Sequence, residues 1–243
     1  MPVRPPLDHR TSTAHPSRTV RQGGECAGEQ LPSPGSVRRM YIPRAFEETS
    51  EAVIVSLVRQ VGFGHLVCAT SAGPASTPLP FVVDDSLGSV RAHLARPNEI
   101  WRNAPCAALL IVAVRDAYIS PSWYPSKQMH AKVVPTWNYE VVHLHGRLEL
   151  HDDAAWVRRQ IGDLTDQNEA LLPEPWSVDD APTHFVTAQV AGIVGIELHV
   201  ERVEAKRKLS QNRTDDDRTG AISGLRSRVE SRHVIADAME HPR

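Results

Sequence analysis

Three short runs of strand-forming residues, Gly64–Thr70, Thr77–Val83 and Ser89–Ala95, follow one another with Ala72-Gly73 in the first joint and Asp84–Gly88 in the second. Such joints supply turn residues at hairpin length, so the runs predict consecutive antiparallel strands. Further along, Cys106–Val114 is a continuous apolar run of strand length. Thr136–Leu150 is a long strand that alternates, with Trp137, Tyr139, Val141, His143 and His145 on one face and Gly146 marking a bend. Ile193–Glu204 is the last strand. Short helices fall between them. The first is capped by Thr49, carries Ile54, Leu57, Val58 and Val61 on one face and stops at Gly62. Pro97 and Asn98 open a second through Ala104. Asp152 or Asp153 caps a third, with Trp156, Val157, Ile161 and Leu164 inward, and a fourth follows the connector Pro173–Pro182. Many antiparallel strands with a few helices predict a mainly β fold, a barrel with α additions.

The segment Ala117–Tyr139, AYISPSWYPSKQMHAKVVPTWNY, holds five of the thirteen aromatic residues together with Lys127, Lys132, His130 and several hydroxyls. Rings bury large flat areas, and lysines and hydroxyls satisfy phosphate oxygens by charge-assisted hydrogen bonds. Rings plus cations therefore suit a flat anionic ligand such as a flavin mononucleotide. The same rings would also serve to close one end of a barrel or a dimer seam, and the residues alone leave both readings open.

Of the 243 residues, 41% are hydrophobic and 23% charged, enough apolar material for a core. No run approaches the ~20 apolar residues of a membrane-spanning helix. Cys26, Cys68 and Cys106 are far apart without a CxxC spacing, which excludes a zinc ribbon and a disulfide framework and makes a reducing cytoplasm the expected location. Residues 1–39 contain six prolines, no aromatic residue and no apolar periodicity. They read as a disordered leader, and because Met40 opens the patterned part, an extended start would account for it. The leader has six arginines against three acids; the remainder has 21 basic and 26 acidic residues, a net charge of −5. That remainder offers no overall basic field for nucleic acid. There is no nucleophile elbow, P-loop or GxGxxG fingerprint, so any chemistry would come from a cofactor.

The runs MYIPRAF (Met40–Phe46), AYISPSWYPSK (Ala117–Lys127), KVVPTWNYEVVHLHG (Lys132–Gly146), IVGIE (Ile193–Glu197) and KLSQNR (Lys208–Arg213) resemble those of the PaiB-like family, the FMN-binding negative transcriptional regulators. The resemblance spans Met40 to Arg228. It implies an FMN-binding split barrel of six strands in a Greek key, dimeric, with flavin in the groove between subunits. The domain would occupy residues 40–213, followed by a helical C-terminal segment, 214–243. Implied cofactor contacts are His93 and Arg96 at a strand-to-helix turn, where the free amides of a helix start reinforce a phosphate site, and Lys132, Thr136, Trp137 and Asn138 from the PTWNY run. Lys208, Ser210 and Gln211 would close over the neighbouring subunit's flavin. Arg207 stands where the resemblance implies a tryptophan. FMN is the expected ligand, a homodimer the expected assembly, and nucleic acid a partner by resemblance only. An FMN-dependent oxidoreductase is the alternative function. His143 and His145 share a strand face at a spacing that could bind metal, but no third ligand is visible at a diagnostic spacing, and no metal is expected.

Overall fold

The computed structural model describes residues 39–228 and 233–241; the expected leader lies outside them. Strand β1 (Phe63–Thr70) pairs antiparallel with β2 (Gly73–Pro80). The turn between them is tied by the Thr70 hydroxyl, which donates to the Gly73 carbonyl at 2.7 Å and accepts from the Ala72 amide at 3.2 Å. β2 carries Pro74, Pro78 and Pro80, which have no amide to give, and it lies at a sheet edge. β3 (Val82–Val83), β4 (Ser89–Ala95), β5 (Cys106–Ile119), β6 (Thr136–His151) and β7 (Ile193–Lys208) complete one sheet in the order β2-β1-β5-β6-β7-β4-β3.

The two outermost strands of that sheet, β2 and β3, are separated in the chain by Phe81 alone. A flat seven-stranded sheet could not be bridged by one residue, so the sheet is rolled into a barrel. Phe81 is buried at the crossing and donates its amide to the Gly62 carbonyl at 2.9 Å. The sequence reading of one strand over Thr77–Val83 is thereby replaced by two, because the chain leaves one sheet edge and joins the other. Counted as one interrupted strand, they give the six-stranded barrel. Its interior is filled by Leu66, Leu110, Val112, Val142, Leu144, Leu148 and Val194, among others.

Helix α1 (Glu51–Val61) buries Ile54, Leu57 and Val58, of which Ile54 and Val58 pack into the barrel core. Its cap is Ser50, one residue later than Thr49, because the Ser50 hydroxyl accepts from the Val53 amide and Glu48 takes the Ser50 amide. Gly62 ends it at φ +57°, a left-handed conformation that favours glycine. The turn after β4 is a 3-10 helix, Glu99–Asn103, in which the Asn98 side chain accepts from the Ile100 amide. A short helix, α2 (Ser126–His130), interrupts the β5–β6 connection.

Asp153, not Asp152, caps α3 (Ala154–Glu169), and α4 (Thr183–Ala191) packs beside it through Val157, Val186 and Val190. At Gly195 of β7 a Cβ would lie 2.3 Å from the Trp156 ring, so the glycine is what lets α3 sit on the strand. At the opposite end of β7, α5 (Asp215–Arg226), capped by Thr214, and α6 (His233–Glu240) bury Ala221, Leu225, Ile235 and Met239 against Ala117, Ile119, Tyr124 and Leu209. None of the described helices is long and apolar enough to cross a membrane.

Candidate functional site

The sequence-predicted residues fall at two ends of β7. Near its start, β4 pairs with it through Ala95↔Ile193 and His93↔Gly195. His93 Nδ1 lies 2.8 Å from Gln160 Oε1 of α3. Arg96 Nε donates to the Ala191 carbonyl at 2.8 Å, and its guanidinium is ion-paired with Asp152. The hydrogen bond between Arg96 and Asp152 raises the Arg96 pKa further and holds the Asp152 carboxyl below its usual range. Arg96 also lines a cavity of about 260 Å³ walled by Val157, Val186, Val190 and Ile193.

At the far end of β7, Lys208 pairs with Tyr139, the residue after Asn138. Lys208 Nζ donates to Thr136 Oγ1 and to the Trp137 carbonyl. Burial, followed by the charges of Lys206 and Arg213, lowers its pKa. Asn138 is fully buried: its Nδ2 donates to Ser210 Oγ at 3.0 Å and contacts Met239 Sδ at 3.2 Å, and its Oδ1 accepts from Ser210 Oγ at 3.2 Å. Ser210 stands at φ +67°, and the Gln211 side chain accepts from the Leu209 amide and donates to the Arg207 carbonyl. In this chain the Asn138–Ser210–Gln211 group thus closes the turn after β7 and pins α6 through Met239. Trp137 is 49% exposed and Tyr118 41%, their rings edge to face at 6.3 Å. Lys132 is exposed in the loop between α2 and β6.

From Ile193 to Lys208 the strand path is on the order of 50 Å at ~3.3 Å per residue. His93 and Arg96 are therefore not brought together with Lys132, Thr136, Trp137 and Lys208 within one chain.

Arg207 points into the end of the barrel. Its Nε lies 2.6 Å from Glu140, which is buried, and its NH1 lies 3.1 Å from Glu48. Arg115 Nε is 2.6 Å from the other Glu140 oxygen. Burial alone would lower the Arg207 pKa, but Glu140 and Glu48 outweigh it and raise it.

A further group lies on the outer face of β6 and β7. His143 pairs across the strands with Glu204, and the ligating atoms of His143, His145 and Glu204 all lie within 4.8 Å of one another. His145 Nε2 is 3.0 Å from Glu204 Oε2, and Arg202 is ion-paired with the same carboxylate. Burial, then the neighbouring His145, lowers the His143 pKa. Burial would raise Glu204, yet the Met40 amide, His145 and Arg202 together hold it low. Glu204 is the third donor that spacing could not reveal, because it is paired with His143 by register across strands some sixty residues apart in sequence. Glu140, Asp152 and Arg202 were likewise invisible as partners until register and helix placement were known.

A rolled antiparallel sheet of this strand order is the fold of the split barrels. A flavocytochrome from Azotobacter vinelandii, Anf3, has this fold with a TM-score of 0.53 at 17% identity, over 69% of this chain and 72% of that one. Residues 40–202 match the family model described as "Putative FMN-binding domain". The chain is 31% identical over 192 residues to "Protease synthase and sporulation protein PAI 2" of Bacillus subtilis, covering 77% of this chain and 90% of that protein. An uncharacterized protein of Saccharomyces cerevisiae is 36% identical over 172 residues, 60% of this chain and 100% of that protein. The chain belongs to the PaiB-like FMN-binding family, and FMN is the cofactor that membership assigns. Its side chains suit such a ligand in type: Tyr118 and Trp137 are half-exposed rings with Lys132 an exposed cation at their end of the barrel, and Arg96 is a partly exposed cation at the other.

Proposed function

We propose that this protein is a cytoplasmic homodimer in which each FMN is held between the two subunits, and that it acts as a negative regulator of the PaiB type. The observation that carries the shared site is the separation of its two halves along β7. His93 and Arg96 of one subunit meet the phosphate end of the flavin. Lys132, Thr136, Trp137 and Lys208 of the other line its ring and ribityl end. Asn138, Ser210 and Gln211 act behind them, by fixing the turn from which Lys208 reaches out. The family membership over residues 40–202 supports the cofactor. Bound FMN supplies electron transfer; the protein supplies the flat surface, the cations and the exclusion of water.

The net charge of −5 outside the first 39 residues favours a second reading, an FMN-dependent oxidoreductase acting on a small molecule, over direct binding to a polyanion. The full chain, purified and titrated with FMN under visible absorbance with its mass measured alongside, is expected to take up about one flavin per subunit as a dimer. A folded protein that ignores FMN overturns the flavin site. With flavin bound, a salt-sensitive gel shift supports the regulator, and substrate-dependent reoxidation of the reduced flavin supports the oxidoreductase.

A further inference from the structure

We propose that His143, His145 and Glu204 form a binding site for a divalent transition-metal ion of the zinc type on the outer face of β6 and β7. Two histidines at i and i+2 of a strand project to the same side. Here the register places a carboxylate directly across from the first of them, His143↔Glu204. The three ligating atoms lie within 4.8 Å of one another, so movements of side-chain torsions bring them to the ~2 Å that zinc requires from nitrogen and oxygen. Two histidines and one carboxylate leave a fourth position open, the arrangement of zinc sites that bind water or substrate.

The surroundings orient the carboxylate as a second shell does. The Met40 amide donates to Glu204 Oε2 at 3.2 Å, and Arg202 is ion-paired with Oε1. All three donors are half-buried or buried, which separates them from surface His–Glu pairs such as His199–Glu149, where a single histidine meets an exposed acid. Without an ion, the His145–Glu204 hydrogen bond at 3.0 Å occupies the space that a metal would bridge. Binding therefore exchanges one hydrogen bond for three coordination bonds. The site is independent of the flavin reading, since none of its residues belongs to the proposed FMN contacts.

The full chain, stripped with a chelator and titrated with Zn²⁺ against a chromophoric indicator, is expected to take up one ion per chain. His143→Ala and His145→Ala each weaken that uptake by at least about tenfold, a lower limit set by what even outer-shell changes cost. Glu204→Gln keeps the shape and removes the charge, and it weakens uptake in the same way. His199→Ala leaves uptake unchanged. Co²⁺ in place of Zn²⁺ gives visible absorption in the wild type that Glu204→Gln loses, a readout that a merely structural role for the glutamate would not move. Uptake that survives Glu204→Gln and either histidine change in folded protein overturns the proposal. So does uptake that falls equally in His199→Ala, or a folded wild type that takes up no Zn²⁺.

Discussion

Arg207 brings a full positive charge to the end of an apolar barrel, and it is held there because Glu140 and Glu48 meet it. Glu140 in turn is shared with Arg115. Buried ion pairs offset a large desolvation cost, and removal of one member strands the other. Arg207→Met is therefore expected to destabilise the protein by about 3 kcal/mol, and Glu140→Gln, which takes the carboxylate from both Arg207 and Arg115, by at least as much. Urea denaturation of the two variants checks it, and equal stability of wild type and Arg207→Met would sink the idea. The sequence marks position 207 as a departure from the PaiB-like pattern but does not show where its charge goes. Its two carboxylate partners lie 67 and 159 residues away in the chain. Asn138 is similar. Residue type and motif single it out, whereas its bonds to Ser210 and Met239 depend on a turn and a helix whose docking no local pattern shows.

Strands and caps were legible wherever local chemistry decides them. Gly62, Asn98 and Asp153 carry out at their helix ends what their types predict, and β4 runs from Ser89 to Ala95 as its alternation reads. Strand ends were less legible. β5 continues beyond Val114 through Arg115 and Asp116 to Ile119, and β7 continues beyond Glu204 to Lys208. The charges that break the apolar run are satisfied across the sheet, and pairing overrides composition there. The β3–β4 turn shows how much one side chain can fix. Asp84 accepts from the amides of Ser86, Gly88 and Ser89 and from the Ser86 hydroxyl. Burial would raise its pKa, and those bonds outweigh burial and lower it. A depressed carboxyl stabilises the fold above its unfolded pKa of ~3.9 and loses that contribution as pH falls through the folded value. Asp84→Asn is thus expected to cost about 1 kcal/mol near neutral pH, since the group is partly exposed, and progressively less below about pH 4. Urea midpoints of both proteins across that range check it; a gap that widens in acid would contradict the assignment.

At the scale of the whole molecule, the rolled sheet sets the two halves of the proposed flavin site at opposite ends of β7. Sequence motifs name both halves but carry no distance between them; that comes from the length of β7 and from its antiparallel neighbours β4 and β6. If each flavin is shared, a defect in one half is complemented by a second copy defective in the other. Arg96→Ala removes a surface ion pair, and Lys132→Ala changes an exposed loop side chain, so both variants are expected to fold. Each alone is expected to bind FMN weakly, because every site in its homodimer carries the defect. In a mixed dimer one site carries both defects and the other carries neither. Equal amounts of the two variants, unfolded and refolded together, should then recover tight FMN binding at about a quarter of the sites by random pairing. A site contained in one subunit gains nothing from mixing, since every copy still lacks one contact. Recovery therefore establishes the shared site, and two folded variants that remain flavin-poor when mixed, while the wild type refolds with full flavin, would place the whole site within a single chain.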